Sequence, residues 1–485
     1  MIFQISAFCF LFLLFIIFHI APSNFRKWIL LLASIVFIRW QGGLWGLIVI
    51  SAITLVAYTL GIVTEKLSIQ HKEKAAEVLP IIGIIFFVFI LFGWKYMATF
   101  AGAFSISIPD RIESIGIPIG LSFYSFQAIS YMADIRMGKV KAQKNLGKLA
   151  LYMMWFPKWM SGPIERTDDF IRQIDTCGQT RLLDEKRLKR ALTYILWGLF
   201  MKLVLADRLG VVVDVVYSDI PTYGFLTLLL TSILYSIQIY CDFAGYTNTM
   251  IGVSSLFGIE LTQNFRIPYM AENVVDFWRR WHISLSSFLK DYIYIPLGGN
   301  RKGSARKALN TVIVFLVCGA WHGAGMSFIV WGLLHGILNV LSGNLKKTKA
   351  SILVSGFIGR IINFIIVTFA WIFFRASKLG DALTFIKGMI PFANGQVALA
   401  GFEIEESMLL GISTIEWIVS LIAILVLALA DSYADSRKEL LPDIIAEKWS
   451  IPKRAAFVTL LTIIIFIFGK YGAGDEIRSF VYMQF

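Results

Sequence analysis

Residues 79–94 read LPIIGIIFFVFILFGW, a run without a single charged side chain. A helix needs about 20 predominantly apolar residues to cross a bilayer, and this run approaches that length. ISAFCFLFLLFIIFHIA (5–21) and AAFVTLLTIIIFIFG (455–469) repeat the pattern near the two ends of the chain. None of these runs alternates apolar with polar residues as the strands of a membrane barrel would. In hydrocarbon the backbone must satisfy its own hydrogen bonds, so helices are the expected element. The composition agrees: 57% of the 485 residues are hydrophobic and only 16% charged, where a soluble domain carries about 25% charge.

The expected fold is therefore an all-α, polytopic integral membrane protein with roughly eleven to thirteen membrane segments. Expected spans lie near 3–21, 27–41, 43–63, 79–100, 118–135, 190–206, 225–243, 308–322, 326–342, 352–374, 408–430 and 455–470. Because no basic residue precedes Arg26, residues 3–21 are expected to be a retained first span rather than a cleaved signal. LALYMMWFPKWMSGP (149–163) and VVDFWRRWHISLSSFLKDYIYIPLGG (274–299) are interrupted by Gly or Pro and read as re-entrant or interfacial helices. No repeat of fixed period and no linker to a soluble domain is visible, so residues 1–485 read as one membrane domain.

The net charge of +13 fits the positive-inside rule better than nucleic-acid binding, because the basic residues fall between spans. RMGKVKAQKNLGK (136–148) holds five basic residues and no acid, and 279–307 holds seven with one acid, Asp291; 436–454 is also net basic. These loops are expected on the cytoplasmic side. The acid-rich 377–410 and 101–117 are expected outside, which puts both termini outside.

Four widely spaced cysteines, with no CxxC, no HExxH and no acidic cluster, argue against a disulfide frame or a metal site. His19 and His71 read as structural. The remaining histidines gather at 282, 322 and 335. NTVIVFLVCGAWHGAGMSFIVWGLLHGILNVL (310–341) is uncharged throughout, yet carries His322 among Gly319, Ala320, Gly323, Ala324 and Gly325. An ionisable group in such a run is costly and usually lines a cavity, and the small residues admit a neighbouring backbone or a substrate. No Asp or Glu occurs from residue 292 to 380, so no local triad exists. A single neutral imidazole can still serve as general base toward a hydroxyl. In DFWRRWHISLSSFLKDYIYIPLGGNRKG (276–303), a continuous helix would set His282 one turn from Trp278 and Arg279. Arg279, Arg280, Lys290, Arg301 and Lys302 would form a basic mouth, read equally well as a lipid-headgroup anchor or as a site for a phosphorylated cytoplasmic ligand.

FWRRWHISLSSFLKDYIYIPLGGNR, then WHGAG, then WGLLHG, together resemble the membrane-bound O-acyltransferase (MBOAT) family, and its bacterial branch that O-acetylates exported polysaccharides. Residues 118–135, 156–166, 238–269 and 373–383 fit the same branch. The resemblance implies a helical fold around a central channel in the bacterial cytoplasmic (inner) membrane. It implies His322 as the catalytic histidine and His282 as a second one on the cytoplasmic side. It implies acetyl-CoA as donor, no bound cofactor, and phosphates met by the basic mouth. An extracytoplasmic SGNH or esterase-like partner would complete delivery to the exported polysaccharide. The tail EIRSFVYMQF (476–485) resembles the F-x-Y-x-x-F ending of this branch, so Tyr482 is an expected acyl relay, with an interfacial aromatic anchor as the alternative. A transporter or flippase of an envelope precursor would share the broken helices and the buried ionisable residue. The identity of the polymer stays open.

Overall fold

The structure is a computed structural model that describes residues 5–104, 116–345, 355–390 and 409–471. Among these residues every regular element is a helix. Seven helices among the described residues are long and apolar enough to cross a membrane: Ser23–Ile69, Glu73–Met97, Phe225–Ser255, Met326–Leu345, Gly356–Arg375, Thr414–Arg437 and Ile451–Phe468. The remaining expected segments are shorter or more polar helices. The spans expected at 27–41 and 43–63 are halves of one 47-residue helix, broken only at Gly43, where φ is 70°. The chain forms two units, residues 1–192 with 250–263, and residues 193–249 with 264–485.

In the first unit, α1 (Ile5–Ile20), α2 (Ser23–Ile69) and α3 (Glu73–Ala103) are apolar on all sides. Helix α4 (Leu121–Arg136) is different: twelve of its sixteen residues are buried, including Ser125, Gln127, Ser130 and Asp134. It is an inner helix, and some of its polar atoms, on Gln127, Ser130 and Asp134, find partners inside the protein. The clearest is Gln127, whose Oε1 accepts from the wholly buried Lys158 Nζ at 2.5 Å. The Lys158 ammonium also faces the Tyr152 and Phe170 rings at 4.1 and 4.6 Å, a cation–π arrangement suited to a desolvated charge. Lys158 sits on α6 (Phe156–Trp159), which follows α5 (Leu146–Met154). The stretch expected to be re-entrant is thus two short helices broken at Trp155. Gly120 (φ +78°) lies so close to Trp159 that a Cβ would meet its carbonyl oxygen at 2.4 Å.

The second unit carries the three grouped histidines. A π-helical turn at Phe200–Ala206 contains Lys202, which is buried and bonded to Asp242 Oδ1 at 2.5 Å and Asp207 Oδ1 at 2.7 Å. Removing either carboxylate would expose the uncompensated part of a buried charge. Helices α7 (Gly303–His322) and α8 (Met326–Leu345) form an antiparallel hairpin. Their backbones touch at glycines. A Cβ on Gly319 would lie 2.3 Å from Phe328 O, and one on Gly332 would lie 2.4 Å from Phe315 O and 3.2 Å from Gly319 Cα. Small residues at such a crossing allow the close van der Waals packing that replaces the hydrophobic effect between helices in lipid. Helix α9 (Gly356–Arg375) packs on α8, and α10 (Thr414–Arg437) begins with a reciprocal cap: Ser413 Oγ accepts from Glu416 N, and the Glu416 carboxylate accepts from Ser413 N.

Gly332→Ala forces the two backbones apart, an overpacking change worth about 1–3 kcal/mol. It should lower the melting temperature of the detergent-purified protein. Gly343→Ala on the same helix, where the added Cβ would meet only Val275 Cγ2 at 4.0 Å, should leave it unchanged.

Candidate active site

Helix α7 stops at His322 because Gly323 is extended (φ −174°, ψ 166°). The imidazole is 4% exposed. Its ring centroid lies 5.2 Å from Trp331 of α8, 5.0 Å from Phe374 of α9 and 4.7 Å from its neighbour Trp321. The helix end therefore delivers the ring into a wall of aromatic side chains from three helices.

Residues 274–299 form short helices, and a break at His282 removes the continuous turn that would have set it beside Trp278 and Arg279. A first helix, Val274–Arg280, is capped by Asn273, whose side chain accepts from Asp276 N at 3.0 Å. It ends at Trp281, and His282 adopts a left-handed backbone (φ 43°, ψ 56°) before the next helix, Ile283–Leu289. That conformation is unfavourable for a residue with a Cβ and needs an external hold. Asn264 supplies it: its backbone oxygen accepts from Ile283 N at 3.0 Å and its Oδ1 from Ser284 N at 3.1 Å. His282 is consequently not stacked one turn below Trp278. Its ring is fully buried, 4.7 Å from Phe243 and 6.1 Å from Trp321. Trp321 thus lies beside both His282 and His322.

Trp278 meets the third histidine instead. Its Nε1–H donates to His335 Nδ1 at 3.1 Å. His335 is wholly buried, with its ring 4.9 Å from Trp331 and 6.1 Å from Trp371. The three histidines form one aromatic cluster with Trp321 and Trp331 between them. Among the described residues, neither His335 Nε2 nor Trp331 Nε1 has a hydrogen-bond partner, although both are buried. An unpaired buried N–H costs about 1–3 kcal/mol.

The basic residues divide. Arg279 and Arg280 line a groove of about 270 Å³ with Arg266, Asp276, Asp435 and Lys438. Arg280 is already engaged, by Asp276 at 3.0 Å and Asp435 at 2.7 Å, and Asp435 also holds Arg360 at 3.0 Å. Arg280 is part of the groove's frame. Lys290, Arg301 and Lys302 are exposed and lie outside this groove; Lys302 folds over Gly298 in the following turn. Tyr482 lies outside the described residues.

Residues 141–379 match the model of the membrane-bound O-acyltransferase family, MBOAT. The chain is 30% identical over 452 residues to the probable alginate O-acetylase AlgI of Pseudomonas putida, covering 90% of this chain and 89% of that protein. The chain belongs to the membrane-bound O-acyltransferase family. It is also 35% identical over 338 residues to the peptidoglycan O-acetyltransferase of Helicobacter pylori, covering 64% of each. The teichoic acid D-alanyltransferase of Bacillus subtilis is 29% identical over 227 residues, 45% of this chain and 57% of that protein. This MBOAT protein is an acyltransferase with multiple membrane passes.

Sequence reasoning named His282 and His322 but gave His335 no role. The four-residue spacing of Trp331 and His335, which places both on one helical face, was the available signal. Arg266 and Lys438 were not legible as groove residues, because nothing in the sequence couples positions so far apart.

Burial lowers the His282 pKa from 6.5 to about 3. Above pH 6.5 the ring is neutral both folded and unfolded and contributes no pH dependence. As pH falls below 6.5 the unfolded chain takes up a proton that the folded MBOAT protein refuses, so stability falls. The wild type should melt at a lower temperature at pH 5 than at pH 7, and His282→Gln should reduce that difference.

Proposed function

We propose that this acyltransferase moves an acetyl group from acetyl-CoA on the cytoplasmic side toward an exported polysaccharide outside a bacterial cytoplasmic membrane. The reading is carried by His322: it closes its helix inside a buried aromatic cluster, in a chain alignable over 90% of its length with a probable alginate O-acetylase. The peptidoglycan O-acetyltransferase relative supports an acetyl donor and a glycan acceptor as well.

In this mechanism His322 is the general base. It takes the proton from an acceptor hydroxyl as that oxygen bonds to the thioester carbonyl carbon. The C–S bond then breaks, and the departing CoA thiolate receives the proton back from the imidazolium. His282 flanks the same Trp321 and shapes the thioester end of the path. The CoA phosphates pair with Arg279 along the groove framed by Arg280, and the exposed Lys290, Arg301 and Lys302 attract them electrostatically. The acceptor hydroxyl is that of Tyr482 or of a serine in an extracytoplasmic, esterase-like partner, which passes the ester to the polymer. Donor and acceptor thus reach one imidazole from opposite faces, and the acetyl group crosses while CoA stays inside.

The test uses radiolabelled acetyl-CoA with wild-type and His322→Ala protein in membranes containing the partner. His322→Ala should slow CoA release by at least about 100-fold, the scale of a lost general base. Tyr482→Phe should abolish label on the C-terminal peptide. A folded His322→Ala protein that releases CoA at the wild-type rate would exclude the imidazole from the chemistry. Polymer acetylation unchanged in Tyr482→Phe would exclude the relay.

A further inference from the structure

The two buried N–H groups beside His322 have a chemical consequence. Trp278 Nε1–H donates to His335 Nδ1, and a nitrogen that accepts cannot also carry the proton. The neutral ring therefore keeps its hydrogen on Nε2. That N–H is wholly buried and, among the described residues, has no acceptor. Four residues earlier on the same helical face, Trp331 Nε1–H is in the same condition, with the two ring centroids 4.9 Å apart. The Trp331 ring in turn lies 5.2 Å from that of His322. Buried donors in native proteins are nearly always satisfied, and a pair left open beside a candidate base marks a place where a ligand supplies the acceptor.

We propose that His335 Nε2–H and Trp331 Nε1–H together bind the carbonyl oxygen of the acyl group, and that Trp278 is a positioning residue holding His335 in the donating tautomer. The inference rests on the acyl-thioester reading above. As the acceptor hydroxyl oxygen bonds to the carbonyl carbon, the π electrons move onto the carbonyl oxygen. The two N–H groups meet that charge in a site of low dielectric, where fixed donors need no reorganisation. When the C–S bond breaks, the electrons return and the double bond re-forms; the proton travels only between the hydroxyl, His322 and the thiolate. The histidine in this role is a donor throughout and never a base, which separates it chemically from His322. The cluster then contains a base and an electrophilic pair, with Trp331 contacting both histidines.

The deciding variant is Trp331→Phe, which keeps an aromatic ring against His322 and His335 and removes only the N–H edge. With acetyl-CoA as substrate it should lower kcat about 100-fold, the usual scale for one lost oxyanion donor, and leave KM for acetyl-CoA within about threefold, since the interaction matures in the transition state. Trp278→Phe leaves both donor side chains in place but lets the His335 proton move to Nδ1, and should lower kcat by about 10-fold with the same pattern. S-ethyl-CoA, which lacks the carbonyl, provides a second readout. Wild type should bind acetyl-CoA more tightly than S-ethyl-CoA by no more than about threefold, and Trp331→Phe should narrow that difference. A purely structural role for these rings, or simple occupation by water, predicts altered melting temperature without the kcat-specific loss and without the carbonyl-dependent binding. Wild-type kcat in a folded Trp331→Phe protein overturns the proposal. Should that variant fail to fold, Trp278→Phe decides by the same kcat-to-KM split. A wild type that neither binds acetyl-CoA nor releases CoA from it overturns the donor reading and this inference together, an outcome distinct from an active wild type with an indifferent Trp331→Phe.

Discussion

The backbone contact between Gly319 and Gly332 is what the second unit's chemistry depends on. With a Cβ on either residue closer than 2.5 Å to a carbonyl oxygen of the facing helix, the α7–α8 hairpin could not close to this distance. Closure sets Trp331 of α8 against the end of α7, where the extended Gly323 leaves His322 as the last helical residue, and sets His335 against Phe315. Helix association in lipid relies on such packing, because lipid tails are as apolar as the side chains. The small residues around His322 therefore serve the fold first. Their effect on the site is that the imidazole enters an aromatic wall rather than facing the bilayer.

That wall imposes its own electrostatics. A neutral ring is the inexpensive form of a histidine surrounded by Phe and Trp, and His282 illustrates it, its pKa depressed by burial. The Trp278–His335 bond adds a second control by selecting which nitrogen carries the proton. The charged groups lie apart from this cluster, gathered where carboxylates can frame them: Arg280 with Asp276 and Asp435, and Lys202 with Asp207 and Asp242. Each network takes one acid from close by in the chain and one from a distant segment. The absence of Asp and Glu between 292 and 380 is consistent with this separation: the carboxylates that frame the groove come from residues 276 and 435.

Much of the architecture was legible in advance. Long uncharged runs predict helices, and helices form there because no water is available to satisfy the backbone otherwise. The end of the helix before Gly323 has a local signal in the glycines that flank His322. The place of the break within 274–290 was not legible, and the cause is clear. Local propensity permits a continuous helix through WRRWH, but Asn264 binds Ile283 N and Ser284 N and stabilises a left-handed turn at His282. That partner is 18 residues away and belongs to no local motif. Helix α4 falls where a span is expected, and its buried Gln127 and Ser125 add that it is an inner helix.

The sequence by itself determined the helical, membrane-crossing class, the positions of the glycines and the grouping of His282, His322 and His335 near one another in the chain. These follow from local composition and from rules that act over one or two turns. Only the tertiary structure decided that Trp321 and Trp331 link the three rings, that Trp278 faces His335, and that Arg280 is held by Asp435 while Lys290, Arg301 and Lys302 stand outside the groove. Those outcomes depend on which side chains meet across helices. Such meetings are set by close packing and by the need to pair buried polar groups, and neither constraint is carried by any one segment alone.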